Sequence, residues 1–204
     1  PMSLDKQTMT IKQEIMGSRT HLINLFCMGI VWLSASFGYY LIGYELKYIR
    51  GDIYINGLVS SSSECVATLV AGYSLEKLGV KMTLVCSYLT ALLGMFSLII
   101  TTTKNQGWLS LFILGSKFGV SAAFVVAYCG NYYLFPVTIV ATTMGICQIG
   151  ARISTIFAPY VAELQPDSIS QSIFCLVIFI AFLSSLAIVD EKRLKLEKNN
   201  KDEL

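Results

Sequence analysis

The sequence predicts an all-α polytopic membrane protein, a bundle of six transmembrane helices. Three observations carry this. Of 204 residues, 54% are hydrophobic and only 14% charged, against about 25% charged in an ordinary soluble domain. Mean hydropathy is +0.63. The apolar residues are also gathered into runs of about 20, the length a helix needs to cross a hydrocarbon core.

The runs fall at 22–44, 53–75, 82–101, 108–133, 138–161 and 170–189. Each is expected to be helical, because backbone exposed to lipid must satisfy its own hydrogen bonds. A membrane barrel would show short alternating segments instead. The connections are short and rich in turn formers, as in Thr101–Gly107 and Glu163–Ser170. Three regions follow: a polar linker or interfacial segment at 1–21, a membrane domain at 22–189, and a charged tail at 190–204.

Lys and Arg placement sets orientation. With the N-terminus inside, the inner side holds Lys6, Lys12, Arg19, Lys77, Lys81, Lys192, Arg193, Lys195, Lys198 and Lys201, while the outer side holds Lys47, Arg50 and Lys104. Both termini are therefore expected on the inner, cytoplasmic or matrix-like side. The Lys-Asp-Glu-Leu end at 201–204 then faces away from any luminal receptor, so it is not expected to act as a retention address. Arg-Gly-Asp at 50–52 reads as a loop between spans. Residues 1–21 lack the apolar segment of a signal peptide. With basic residues concentrated on the inner rim, the net charge of +2 gives no reason to expect nucleic acid.

Cys27, Cys65, Cys86, Cys129, Cys147 and Cys175 all fall inside apolar runs, with no metal-site spacing, and read as packing residues. No metal or other cofactor is expected. His21 stands alone as a histidine, no nucleophile–base pair or phosphate loop is evident, and an enzyme is not expected.

Three ionisable residues lie deep inside runs: Glu64, Lys117 and Arg152. At about 1.5 Å rise per residue, each is roughly 13–16 Å from the outer end of its span, near the midplane. Charges at that depth face a bundle interior or a wet cavity, and transporter sites lie at the same level. Around Arg152, Gly145, Gln148, Thr155 and Pro159 recur at helical steps as a small or polar face. Ser121, Phe124 and Tyr128 do the same around Lys117, and Trp32, Ser36, Tyr39, Tyr40 and Gly43 line one side of the first span. Gly115 and Gly119 form a G-x-x-x-G pair that lets a neighbouring helix approach, and Lys117, two residues from each, points roughly the other way. Two uses remain open: a site for a bulky organic ion, or structural pairing in which Glu64 neutralises Lys117 or Arg152. Pairing leaves one cation that an anion, a proton or a further carboxylate must answer.

Several segments together resemble the C-terminal six-helix half of a major facilitator superfamily transporter of the organic cation/anion group. Residues 31–46 (VWLSASFGYYLIGYEL) are similar to that group's seventh helix, 51–67 (GDIYINGLVSSSSECVA) to its eighth, 76–81 (EKLGVK) to its short basic inner loop, and 115–124 and 145–161 to its tenth and eleventh. The resemblance implies that Arg152 and Lys117 attract a substrate's negative group, as a guanidinium fork suits a carboxylate. It implies that Gln148, Tyr39, Tyr40 and Tyr128 orient and shape the site, that Glu64 balances charge or carries a coupled proton, and that Glu76, Lys77, Gly79 and Lys81 form the inner loop. The group's Glu-Leu-Tyr-Pro-Thr-x-x-Arg gate is altered: Tyr133 and Val140 stand where its charges would be, and Val137 replaces its threonine. The Pro-Glu-Thr after the last helix is replaced by Val189–Leu194. The expected function is transport of a small organic anion or zwitterion, by a half-transporter working with a second six-helix half, a second copy or other membrane subunits. The alternative is a non-transporting structural subunit of a larger complex.

Overall fold

The computed structural model describes residues 17–45, 53–100, 106–165 and 167–189. The segment 1–16, Lys47, Arg50, the Arg-Gly-Asp triplet, Lys104 and everything from residue 190 onward, including the tail, lie outside them. The described residues form five helices and no strand: α1 (Arg19–Glu45), α2 (Ile53–Ile100), α3 (Gln106–Leu134), α4 (Val137–Ala162) and α5 (Asp167–Ala187). All five contain stretches long and apolar enough to cross a membrane.

Six separate spans are expected from the sequence, and the second and third of them belong to one element, α2. Its 48 residues would make a straight rod of about 72 Å, more than twice the roughly 30 Å hydrocarbon core. The rod is not straight. Gly79 sits at φ 78° and ψ 174°, outside helical geometry, in a region that glycine alone enters at no steric cost. Thr83 Oγ1 donates to the Gly79 carbonyl at 2.8 Å and helps restart the helix. Residues 60 and 91 would be about 46 Å apart along an unbroken helix. Both meet one short stretch of α3: Lys117 donates to Ser60, and Ser116 donates to the Ala91 carbonyl at 3.2 Å. The two arms of α2 therefore fold back beside each other. The expected inner loop, Glu76–Lys81, is helix on either side of this break rather than an irregular connection.

The other boundaries follow from local chemistry. Pro136, extended at φ −60° and ψ 152°, separates α3 from α4, since proline has no N–H to continue a ladder. Pro159 lies near the end of α4, and the Glu163 N–H closes the last turn onto the Pro159 carbonyl.

Helix α2 packs most extensively on α3, and α1 on α4, while α5 lies against both α1 and α2. Trp32, Tyr88, Phe135, Phe174, Met28 and Met95 fill the interior. The rim is lined with exposed Leu69, Phe96, Ile149, Ile156 and Leu176, the distribution suited to lipid as solvent. Inside lipid, apolar burial alone does not hold helices together, and small residues and interhelical hydrogen bonds matter more. Tyr88 donates to the Val31 carbonyl at 2.9 Å, Ser154 to that of Leu33 at 3.1 Å and Ser184 to that of Cys27 at 3.3 Å. Asn24 donates to the Val189 carbonyl and accepts from its N–H, both at 2.9 Å, tying the start of α1 to the chain just beyond α5. Ser170 donates to Glu45 at 2.6 Å and ties the opposite ends of the same two helices.

Close approach of α2 and α3 uses Gly94 and Gly119. A Cβ on Gly119 would lie 2.5 Å from the Ser87 carbonyl oxygen and the Ala91 nitrogen, and one on Gly94 2.7 Å from the Ser116 nitrogen, whereas Gly115 faces open space. Of the G-x-x-x-G pair, only Gly119 is a packing position.

Candidate functional site

One end of the site is a charged centre among α1, α2 and α3. Lys117 projects from the middle of α3, and its Nζ lies 3.9 Å from Glu64 Oε2 on the first arm of α2. The same ammonium donates to Ser60 Oγ, one helical turn before Glu64. The second carboxylate oxygen, Glu64 Oε1, accepts from the Tyr39 hydroxyl at 2.7 Å. Lys117 also lies 5.5 Å from the centroid of the Tyr39 ring, a cation–π distance. The lysine side chain is 10% exposed and the glutamate 35%, so the pair is enclosed at one end and open at the other. Each ionised group thus has an opposite charge and a hydroxyl, the conditions that make a buried charge tolerable.

Aromatic rings extend this centre. Tyr39 stacks on Phe124 at 5.6 Å between centroids, and Phe124 meets Tyr128 edge-on at 5.3 Å. Trp32 meets Tyr128 at 4.4 Å, and Tyr40 meets Tyr39 at 5.5 Å. The stripes expected on α1 and α3 are therefore one continuous aromatic wall, with Tyr39, Tyr40, Tyr128, Glu64 and Lys117 all belonging to it. Ser60, Trp32 and Phe124 complete it. Ser60 carries a sequence signal, its position one turn from Glu64 on the same face. The Trp32 indole N–H and the Ser121 hydroxyl are buried there without a hydrogen-bond partner.

Arg152 stands apart. Its side chain is exposed on α4, and among the described residues no carboxylate or hydroxyl is paired with it. Gly145, Gln148, Arg152, Thr155 and Pro159 fall within about 80° of one another around the helix axis. On one side of this stripe lie Ala151, Ser154 and Ala158, buried in the bundle; on the other lie exposed Ile149, Ile153 and Ile156. The stripe is the border between core and lipid-like surface. Gln148, half-buried, shares it with Arg152 and not with the Lys117 centre. The inner-loop residues are remote from the Lys117 centre, since Glu76 stands about 18 Å along the helix from Glu64; Glu76 and Lys77 are exposed, and Lys77 lies 6.0 Å over Tyr73. At the altered gate positions, Tyr133 is exposed and Val140 buried. An apolar cavity of about 450 Å³, lined by Leu92, Leu93, Phe96, Cys175, Leu176 and Phe179, holds nothing to recognise a charged solute.

A helical bundle with an apolar girdle and ionised residues held at mid-span defines a polytopic membrane protein. Residues 20–203 match the Major Facilitator Superfamily, and the chain belongs to that family. Membership points to a transporter rather than an enzyme. The chain is 28% identical over 148 residues to solute carrier family 22 member 7 of Bos taurus, an alignment covering 72% of this chain and 27% of that protein. It is 28% identical over 146 residues to organic anion transporter 3 of Rattus norvegicus, covering 69% and 27%. Against solute carrier family 22 member 4 of Mus musculus the identity is 26% over 136 residues, covering 66% and 24%. The chain thus spans about a quarter of the length of the curated relatives it matches.

Proposed function

We propose that this chain takes part in moving a small organic anion or zwitterion across a membrane, with Arg152 as the residue that holds the substrate's negative group. The carrying observation is Arg152 itself: a guanidinium in the middle of a membrane-length helix, on a small and polar stripe, with no internal counter-charge among the described residues. A charge so placed is costly beside acyl chains and is kept where something polar meets it. A carboxylate fits its fork. The aromatic wall from Trp32 to Tyr40 gives an organic body its surface, Gln148 adds a hydrogen-bonding group beside Arg152, Lys117 adds positive field, and Glu64 balances that field.

In this reading the two arms of α2 cross separately, giving six crossings with both termini on the inner side. The Arg152 face then requires cover, because a cation and the polar side chains beside it do not face lipid. A second bundle, from the same polypeptide, a second copy or another subunit, supplies it, and substrate binds between the two as they rock. Glu76, Lys77, Gly79 and Lys81 form the inner connection of the α2 hairpin.

The test is uptake of labelled organic anions into cells expressing the chain, for the native sequence and Arg152→Ala. Uptake that falls at least about tenfold, the scale of a lost charge-assisted hydrogen bond, supports the assignment. Unchanged uptake removes Arg152 from the site. A second reading, a transporter-derived structural subunit, is favoured by Tyr133 and Val140 at the gate positions, where the resembling group carries charges. It predicts no uptake and co-purification with fixed membrane partners.

A further inference from the structure

We infer that the seam between α1 and α3 is a parting line, which opens to water from the end where α1 begins and stops at the Tyr39–Glu64 hydrogen bond. The motion lies inside the bundle, separate from any rocking of one bundle against another. It holds for a carrier and for a structural subunit alike. Among the described residues, four buried side-chain polar atoms have no hydrogen-bond partner: His21 Nδ1, Trp32 Nε1, Ser121 Oγ and Asn131 Oδ1. Two belong to α1 and two to α3, on the faces these helices turn to each other. His21 and Trp32 share a side of α1 with Met28 and Tyr39, within about 40° round the axis. Ser121 and Asn131 share a side of α3 with Phe124 and Tyr128, within about 80°. Rings meet across the seam at 6.2 Å for His21 and Phe135, 4.4 Å for Trp32 and Tyr128 and 5.6 Å for Tyr39 and Phe124.

Other helix pairs are stitched by a hydroxyl on a backbone carbonyl: α1–α2 by Tyr88 on Val31, α2–α3 by Ser116 on Ala91, α1–α4 by Ser154 on Leu33 and α1–α5 by Ser184 on Cys27. From His21 to Trp32, and from Ser121 to Phe135, no hydrogen bond joins α1 to α3. A contact that strands polar groups gains hydrogen bonds when it opens to water, and a stitched contact loses them. The hinge lies behind the seam. Val31 and Gly38 each stand about 100° round α1 from Trp32 and Tyr39. There Tyr88 holds the Val31 carbonyl, and a Cβ on Gly38 would touch Val120 at 3.4 Å. The Tyr39 bond to Glu64, at 2.7 Å, crosses the front about 10 Å beyond Trp32. All four stranded groups lie on the near side of that latch, within about 20 Å of Arg19 or Leu134.

The chain has two tryptophans, so Trp108→Phe leaves Trp32 as the sole indole reporter. The full chain in nanodiscs is titrated with acrylamide, and separately with a brominated lipid. Trp32 is expected to be quenched by acrylamide. Adding Ser121→Ala removes a stranded hydroxyl and favours the closed seam, so the acrylamide quenching constant is expected to fall at least about fivefold. Ser154→Ala, which removes a stitch, is expected not to lower it. Where Trp108→Phe fails to fold, thermal unfolding of the chain with both tryptophans decides: Ser121→Ala is expected to raise the midpoint by about 2–4 °C, and Ser154→Ala to lower it. Trp32 quenched by the brominated lipid and not by acrylamide overturns the inference, because the seam then meets hydrocarbon. Quenching unchanged by Ser121→Ala, or a midpoint lowered by it, also overturns it, because a fixed buried water then holds the hydroxyl. Neither readout involves uptake, so failure of the transport reading leaves this inference standing, and the reverse.

Discussion

The centre around Lys117 and the stripe around Arg152 hold the same kind of residue under opposite conditions. Lys117 has a carboxylate, a hydroxyl and an aromatic face; Arg152 has none of these among the described residues. In the proposed reading, the bundle supplies partners for the charge it buries and leaves Arg152 for the substrate. Substitution at the first position should therefore cost stability, and at the second, activity. That contrast can be broken from either side.

The largest expected effect is at Lys117. Lys117→Met leaves Glu64 without its cation in a partly enclosed site. Breaking a fully buried pair costs roughly 3–5 kcal/mol; with Glu64 35% exposed, a loss of about 2–3 kcal/mol is expected. Adding Glu64→Gln removes the stranded charge and should recover most of it. Thermal unfolding in detergent or nanodiscs, in a double-mutant cycle, measures both. A single variant as stable as the native chain would show that the pair is not a structural element.

Next is Gly119, two residues along α3. Gly119→Ala places a Cβ within 2.5 Å of the α2 backbone and must push the helices apart, at about 1–3 kcal/mol. Gly115→Ala enters open space and should be neutral or slightly stabilising, since alanine is the better helix former by roughly 1 kcal/mol. Equal effects at the two glycines would contradict the packing of α2 on α3, and with it the placement of Lys117.

How much of this was readable in the residues differs by level. The helical, membrane-length character of the runs came through, because lipid demands about 20 apolar residues per crossing and few other patterns satisfy that; the count did not, since the expected second and third spans share the single element α2 and five helices are described. Glu76, Lys77 and Lys81 suggested a loop, yet helix runs up to and away from Gly79; charge marks the water, and only the positive φ marks the turn. The G-x-x-x-G pair correctly pointed to a close contact but not to which glycine makes it or that Gly94 answers it, since spacing along one helix carries no information about its neighbour. That Glu64 and Lys117 stand level with each other was expected from rise per residue, and their contact at 3.9 Å agrees. Which cation Glu64 takes was not legible, because rotation of one helix against another decides it. Tyr39, Tyr40 and Tyr128 were visible as separate stripes on two helices; that they make one wall with Trp32 and Phe124 is a tertiary fact.

A smaller effect is expected at Tyr39. Tyr39→Phe removes the hydrogen bond to Glu64 Oε1 and keeps the stack on Phe124. A bond to a charged acceptor contributes about 1.5–3 kcal/mol when enclosed, and the exposure of Glu64 lets water replace part of it, so a loss near 1 kcal/mol is expected in the same unfolding assay. If Tyr39→Phe costs as much as Lys117→Met, the centre is held by the hydroxyl rather than by the ion pair.

The smallest expected change in stability is at Arg152, and it sharpens the contrast most. Arg152→Gln keeps a polar, helix-compatible side chain and breaks no side-chain hydrogen bond or ion pair among the described residues. Substitutions at such positions shift stability by no more than about 0.5 kcal/mol, and removing an unpaired cation from a membrane span can only favour the bundle. Uptake of an organic anion is nonetheless expected to fall at least about tenfold, since glutamine offers neither the charge nor the bidentate fork. Lysine at 152 tests which of these matters: it restores charge without the planar geometry and should recover uptake only in part. A residue whose loss leaves the fold intact and ends transport is a binding residue. One whose loss unfolds the bundle is a strut, and Arg152 would then belong with Lys117.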